Sequence, residues 1–197
     1  LRDIYAHQIE LEQDPEIRLQ VAYKRVPVLA EALEDADRAI EALEGIIDEY
    51  GVEQGEACDA LEQLYQQQAR WQELGQLLER RIEGGPESHE ELASLKFRLG
   101  RVCESQLEDK PRAVDLCREV LSIMPEHDGA KDRLQQLLDD AEVASEASRV
   151  LEPIYEMSED WTQYVNALRV QHRYSDAPRQ KLGLLTRVAD TYFNHIG

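Results

Sequence analysis

The sequence lacks most of the residues that build β-sheets and tight loops. Only 6% of its 197 residues are aromatic, and it contains 10 glycines and 7 prolines. Threonine occurs only at positions 162, 186 and 191. Strands favour β-branched and aromatic residues, whereas the recurring Leu, Ala, Glu, Gln and Arg favour helices. These shortages argue against a sheet protein and predict an all-α fold.

Basic residues are scarce too. The chain has 22 Lys and Arg against 41 Asp and Glu, a formal net charge of −19 at pH 7. A field of this sign repels nucleic-acid phosphates and anionic lipid headgroups, so a partner with basic residues is expected and nucleic acid is not. No apolar run approaches the ~18 residues of a membrane-spanning helix, so no membrane insertion is expected.

The three cysteines are Cys58, Cys103 and Cys117. An odd number without a Cys-x-x-Cys pair argues against a secreted disulfide framework, and a cytoplasmic location is therefore expected. The cysteines are interpreted as small core residues. Cys103 and Cys117 are predicted to lie on facing helices, which leaves a redox switch as the alternative to plain packing.

Catalytic and metal-binding motifs are also missing. The sequence has no Gly-rich phosphate loop and no nucleophile elbow. Its five histidines form no His-Glu-x-x-His or Glu-x-x-His pair, the pairs that hold zinc or di-iron on helices. The densest acidic run, residues 139–142, is interpreted as solvated surface. The sequence therefore predicts a protein that is not an enzyme and has no cofactor and no metal.

Apolar residues recur at spacings of three and four, as at Leu92, Leu95 and Leu99. This spacing is typical of amphipathic helices. Turn formers and N-cap residues divide the pattern and predict helices near 1–12, 15–33, 36–50, 54–69, 70–83, 87–107, 110–123, 127–139, 142–157, 159–173 and 177–196. The short links make successive helices antiparallel, either in a compact bundle or in a row of stacked hairpins.

An internal repeat decides between these two architectures. Trp71 and Trp161 lie 90 residues apart, and their surroundings match at the same offset. The matched pairs are Leu61/Leu151, Glu62/Glu152, Tyr65/Tyr155, Trp71/Trp161 and Leu78/Leu168. The two tryptophans are therefore predicted to be equivalent packing residues, each mostly buried.

Two further offsets extend the repeat. Residues 98–107 correspond to residues 187–196 at an offset of 89, and residues 33–40 correspond to residues 107–114 at an offset of 74. The 90-residue offset of the tryptophans exceeds this 74-residue offset, which places an insertion before the second tryptophan, at residues 139–148. Helical units repeated in this way stack on their neighbours and share one core. The predicted fold is a right-handed α-solenoid, a superhelix of antiparallel helix hairpins.

The best-formed unit resembles a tetratricopeptide repeat. It has the small residue Gly100, Ala113 on the following helix, and Pro125 after that helix. In this family the small residues let the two helices of a hairpin approach, and the proline stops the second helix. The resemblance is most specific for residues 20–51 and 95–125, whereas Pro27 and the units of Trp71 and Trp161 depart from the pattern. The chain also looks similar to the acidic, divergent arrays of large bacterial proteins.

The resemblance implies a concave groove lined by the first helix of each hairpin. The predicted groove residues are Tyr23, Tyr65, Phe97, Arg101, Glu104, Tyr155, Asp190 and Phe193. Aromatic side chains among carboxylates suit a partner segment that has apolar anchors and basic residues. The alternative is that these aromatic residues pack between repeats. The family's Lys/Asn clamp for a terminal carboxylate is not implied, because Phe97 and Arg101 stand at the matching positions.

The chain, residues 1–197, is interpreted as a single helical repeat segment with units at about 15–83, 87–173 and 177–197, the last one partial. Neither end shows the polar cap of a terminal repeat, so it is expected to be part of a longer array. The predicted function is a non-catalytic scaffold that binds a protein segment along an acidic concave groove. The alternatives are a structural spacer between domains and a regulatory or substrate-docking segment of a larger enzyme.

Overall fold

The computed structural model describes residues 2–29 and 35–196, except for the side chains of residues 2 and 3. The chain folds as two compact units, Leu1–Gly85 and Pro86–Gly197. Every regular element within the described residues is a helix, so the predicted all-α class is confirmed. The end of the predicted helix 15–33, the start of the match at residue 33 and the last residue of the partial unit lie outside the described residues.

The first unit is a row of helices that each pack against the next one along the chain. Its described helices are α1 (Arg2–Leu11), α2 (Pro15–Pro27), α3 (Ala36–Tyr50), α4 (Gly55–Gln67) and α5 (Trp71–Glu83). Their apolar stripes meet in a core that includes the fully buried Ile40, Leu43, Leu61, Leu74 and Leu78. Packing between sequence neighbours is the predicted row of antiparallel hairpins.

The second unit continues the same arrangement. Its described helices are α6 (His89–Ser105), α7 (Lys110–Ile123), α8 (Asp128–Leu137), α9 (Ala144–Met157), α10 (Trp161–Tyr174) and α11 (Pro178–Thr191), followed by a short π-helix (Tyr192–Ile196). Besides its sequence neighbours, α7 also contacts α9, and the π-helix contacts α10. The predicted insertion at 139–148 forms the turn before α9 and the first residues of that helix.

Side chains cap the starts of several helices. An oxygen of the residue before the helix accepts a hydrogen bond from a backbone N–H of the first turn in α2, α3, α6, α7 and α10. The capping residues are Asp14, Asp35, Ser88, Asp109 and Asp160. Each cap satisfies a donor that has no partner inside its helix and contributes about 1 kcal/mol. Helix α8 instead uses His127, whose Nδ1 accepts from the N–H of Ala130 at 3.1 Å.

Helices α6 and α7 approach each other closely at Gly100. A Cβ atom at this position would lie 3.4 Å from the Cβ of Leu116 and 3.7 Å from the carbonyl oxygen of Ala113. Helix α7 ends with Met124 as its C-cap, directly before Pro125. A glycine at the crossing lets the helix backbones come near without a side chain between them.

The two tryptophans are equivalent in position, and most of each residue is buried, as predicted. Trp71 and Trp161 begin α5 and α10, and each keeps only a minor part of its surface in solvent. Trp161 contacts Tyr164 edge to face at 5.9 Å and stacks on His195 at 3.8 Å between ring centroids. The first residue of a helix lies at the rim of the core, which is why part of each indole stays in solvent.

The turns before these tryptophans are also equivalent. The N–H groups of Arg70 and Asp160 donate to the carbonyls of Tyr65 and Tyr155 at 2.8 and 3.0 Å. This bond spans five residues and closes a Schellman turn, a helix end that requires a left-handed residue. Ala69 and Glu159 occupy the left-handed position with φ of 53° and 57°.

Replacing either left-handed residue by glycine should stabilise the chain. A left-handed non-glycine residue costs about 1–2 kcal/mol, and a glycine at the same position avoids this cost. The greater flexibility of glycine in the unfolded chain offsets about 0.5–1 kcal/mol of the resulting stabilisation. We therefore expect Ala69→Gly and Glu159→Gly each to raise the free energy of unfolding in urea by about 0.5–1 kcal/mol.

Ala60→Gly is the matched control, because Ala60 lies inside α4, the helix that ends at the first of these turns. A glycine there should lower the free energy of unfolding by about 0.5–1 kcal/mol. A loss of stability in all three variants would contradict the strain assigned to the two left-handed residues, and a gain in one turn variant with a loss in the other would contradict the equivalence of the turns.

Candidate protein-binding surface

The eight predicted groove residues fall in both units. Tyr23 and Tyr65 belong to the first unit, and the other six belong to the second. Their exposure differs widely. Arg101, Asp190 and Phe193 are exposed, Tyr23, Phe97 and Glu104 are half-buried, and Tyr65 and Tyr155 are buried. Their grouping into one binding surface stays a prediction.

Tyr65 and Tyr155 make equivalent internal contacts. Their side chains are only 4% and 5% exposed. The hydroxyl of Tyr65 donates to Oε1 of Glu44 on α3 at 2.5 Å, and the hydroxyl of Tyr155 accepts from Nε2 of Gln135 on α8 at 2.6 Å. Burial raises the pKa of both phenols above the ordinary value. Tyr65 thus joins α4 to α3, and Tyr155 joins α9 to α8. This agrees with the alternative that the aromatic residues pack between helices and do not bind a partner.

Tyr23 lies on α2 in the first unit and is half-buried. Its hydroxyl donates to Oε1 of Gln54, before α4, at 3.4 Å. Burial raises the pKa of its phenol. Part of the residue stays exposed, so Tyr23 combines packing with a surface that a partner can reach.

Phe97 and Glu104 connect α6 with α8. The Phe97 ring lies 4.8 Å from the His127 ring between centroids. A Cβ at Gly129 would come within 2.9 Å of the Phe97 ring, so the absence of a side chain makes room for the ring. Oε2 of Glu104 lies 2.9 Å from Nε of Arg133. Both groove candidates therefore also hold α8 against α6.

Asp190 and Phe193 lie at the end of the second unit. Asp190 is exposed on α11, and Phe193 is 88% exposed on the π-helix. A phenylalanine this exposed contributes little to folding, because its ring is hydrated in the folded chain as well. Of the aromatic groove candidates, Phe193 offers a partner the largest fraction of its side chain.

The structure adds a pair of buried polar contacts that sequence reasoning missed. Oε1 of Glu62 accepts from Nη1 of Arg81 at 2.6 Å, between α4 and α5. Ninety residues further on, Oε2 of Glu152 accepts from Nε2 of Gln171 at 2.5 Å, between α9 and α10. Glu62 and Gln171 are each 5% exposed. The sequence contains a signal for these contacts, because Arg81 and Gln171 have the same 90-residue offset as the tryptophans.

The joints between helices differ in kind. Two of them use a hydrogen-bonded carboxylate, Glu62 between α4 and α5 and Glu152 between α9 and α10, whereas α6 and α7 meet directly at Gly100. In the second unit Arg187 of α11 also donates to Glu152 and to the hydroxyl of Tyr164. The carboxylate thus ties three successive helices together.

Comparison with known proteins identifies the repeat. A tetratricopeptide repeat family model matches residues 57–90. No curated protein sequence matches the chain. Residues 57–90 thus match a tetratricopeptide repeat, and the predicted resemblance to this family is confirmed. The matched segment holds most of α4 and the whole of α5 with Trp71. It belongs to one of the units that the sequence pattern fitted less closely than residues 20–51 and 95–125.

A solved structure is also similar to the chain. It is the crystal structure of YrrB, described as a TPR protein with an unusual peptide-binding site. The sequences are 14% identical, the comparison covers 100% of this chain and 96% of YrrB, and the TM-score is 0.41. At this level of likeness no residue of YrrB can be assigned a counterpart here.

The described residues were also compared with the requirements of a metal site and of a membrane-spanning helix. Among the described residues no group of His, Cys, Asp and Glu side chains is arranged to hold a metal ion. Within the same residues no helix is both long enough and apolar enough to cross a bilayer.

The three cysteines are free thiols, and all are buried. Burial raises the pKa of Cys117 to about 11 and also raises the pKa of Cys58. A thiol reacts as its thiolate, so a higher pKa lowers the reactive fraction at neutral pH. Plain packing therefore accounts for the cysteines better than a redox switch.

This gives a prediction for thiol chemistry. At pH 8 the native chain should react with Ellman's reagent far more slowly than the chain in guanidinium chloride. All three thiols should react in the unfolded chain, because unfolding exposes them. Rapid native labelling, or loss of two thiols under mild oxidation, would instead support the switch.

A second prediction concerns Glu62 and Arg81. Arg81→Met should lower the free energy of unfolding by about 3–5 kcal/mol, because it leaves a carboxylate buried without its cation. The double variant Glu62→Leu/Arg81→Met should recover most of that loss, since buried ion pairs exchange for apolar pairs at little net cost. Urea unfolding followed by circular dichroism measures both.

Arg80→Met is the matched control. Arg80 donates to Oδ1 of Asp48 at 2.8 Å, but its side chain is 49% exposed. An exposed ion pair contributes about 0–1 kcal/mol, so this variant should be nearly as stable as the native chain. Equal losses for Arg80→Met and Arg81→Met would show that burial of Glu62 is not what makes its contact important.

Proposed function

We propose that this chain is a non-catalytic scaffold that binds a protein segment along an acidic concave groove. The observation that carries the proposal is the tetratricopeptide repeat at residues 57–90 within a chain of sequential helix hairpins. Folds of this kind offer extended surfaces for partners. In the second unit the groove is assigned to the exposed and half-buried candidates Phe97, Arg101, Glu104, Asp190 and Phe193, and in the first unit the candidate is Tyr23. Tyr65 and Tyr155 act by packing within their own units.

A partner with basic residues follows from the charge. The formal net charge of −19 attracts cationic segments over a distance and speeds their encounter. Salt above ~0.15 M screens this attraction, so association should slow more than dissociation accelerates. Apolar side chains of the partner would supply the rest of the affinity by covering the exposed Phe193.

The test is a selection of random peptides on the 197-residue chain, followed by affinity measurements on purified variants. Phe193→Ala should weaken binding about tenfold or more if this residue is a hot spot. It should leave the melting temperature unchanged, because the ring is 88% exposed. Phe97→Ala should lower the melting temperature, because its ring packs on His127 and beside Gly129.

Leu182→Ala is the control for Phe193→Ala. Leu182 is 68% exposed on α11 and is not one of the predicted groove residues. It should change neither affinity nor melting temperature. Selection of no peptide at all would favour a structural spacer, whereas binding that ignores both Phe193 and Phe97 would move the site away from the predicted groove. A docking segment of a larger enzyme would instead select peptides that match that enzyme's substrates.

A further inference from the structure

The second unit has an open cleft between α7 and α9. These two helices are in contact although α8 separates them in sequence. Its volume is about 430 Å³, which lies within the roughly 300–1,000 Å³ of typical ligand pockets. The apolar lining comes from Leu121 on α7 and from Val150, Pro153 and Ile154 on α9. Leu121 is buried, whereas Val150 and Ile154 are half-buried and Pro153 is exposed. The cleft therefore leaves aliphatic surface open to a partner.

Two arginines line the cleft, although the chain as a whole is acidic. Arg118 and Arg149 line it from the two helices, with Glu146 as the acidic lining residue. Arg118 donates to Asp115 at 2.5 Å, and Arg149 lies 3.8 Å from Glu146. Each of these four side chains is more than half exposed, and exposed pairs of this kind contribute about 0–1 kcal/mol. Both guanidinium groups can therefore turn toward a carboxylate of a partner.

We propose that the cleft between α7 and α9 binds a short protein segment whose apolar side chains flank a carboxylate. The apolar side chains cover Leu121, Val150 and Ile154, and the carboxylate lies between Arg118 and Arg149. This inference rests on the proposed scaffold function and assigns it a second place and a partner of opposite charge, apart from the acidic groove.

The probes are three pools of short acetylated and amidated peptides. Each peptide has a leucine on both sides of a central residue, which is Glu, Gln or Lys, and the other positions vary among Ala, Ser and Gly. The whole 197-residue chain is immobilised, and the retained fraction of each pool is measured. We expect the Glu pool to be retained about five- to tenfold more than the Lys pool, with the Gln pool between them. The double variant Arg118→Glu/Arg149→Glu should reverse this order.

Ser122 provides a test that does not depend on charge. Ser122 lines the cleft from the exposed face of α7, so Ser122→Trp should fill the cleft and abolish retention of the Glu pool. Ser94→Trp is the control, because Ser94 is exposed on α6 and does not line the cleft. It should retain the Glu pool like the native chain. Circular dichroism melting shows whether each variant is folded.

Three results would overturn the inference: equal retention of the Glu and Lys pools, retention of the Glu pool by Ser122→Trp, or no retention of any pool. Retention of the Lys pool that Phe193→Ala reduces and Ser122→Trp leaves intact would overturn the cleft while supporting the acidic groove. Retention of the Glu pool that Ser122→Trp abolishes and Phe193→Ala leaves intact supports the cleft without the groove.

Discussion

Within each unit the described helices bury their apolar stripes mainly against the helices next to them in sequence, and the rest of the structure depends on that constraint. The contact between α7 and α9 is an exception, because it skips α8. The joints between neighbouring helices therefore carry the specificity of the fold. One joint is a direct contact at Gly100, and two are carboxylates that reach across to Arg81 or Gln171. A carboxylate needs its partner in one geometry, whereas a glycine only leaves space.

Much of the fold was readable because it repeats. The 90-residue offset of Trp71 and Trp161 indicated equivalent units, and the structure extends this equivalence to the left-handed turns at Ala69 and Glu159 and to the buried tyrosines. The helix bounds followed from turn formers and caps such as Asp14 and Asp109.

The candidate surface was less predictable than the fold. A pattern assigns a residue to a helix face, but whether that face meets solvent depends on the neighbouring helix. Tyr65 is covered because α3 places Glu44 against its hydroxyl, and Phe97 is half-covered because Gly129 admits its ring. Net charge is such an average as well. A total of −19 favours basic partners, yet two arginines, Arg118 and Arg149, line one cleft. Averages over a chain do not describe a site that a few side chains form.

The placement of the two tryptophans has a consequence for spectroscopy. Each unit contains a single indole, and each indole lies at the start of a helix with a minor part of the residue in solvent. Their environments differ, since Trp161 is stacked on the His195 ring. Single-tryptophan versions of the chain, with phenylalanine at one position or the other, would therefore carry one intrinsic fluorophore per unit. Their emission reports the opening of each half of the molecule separately, without an added label.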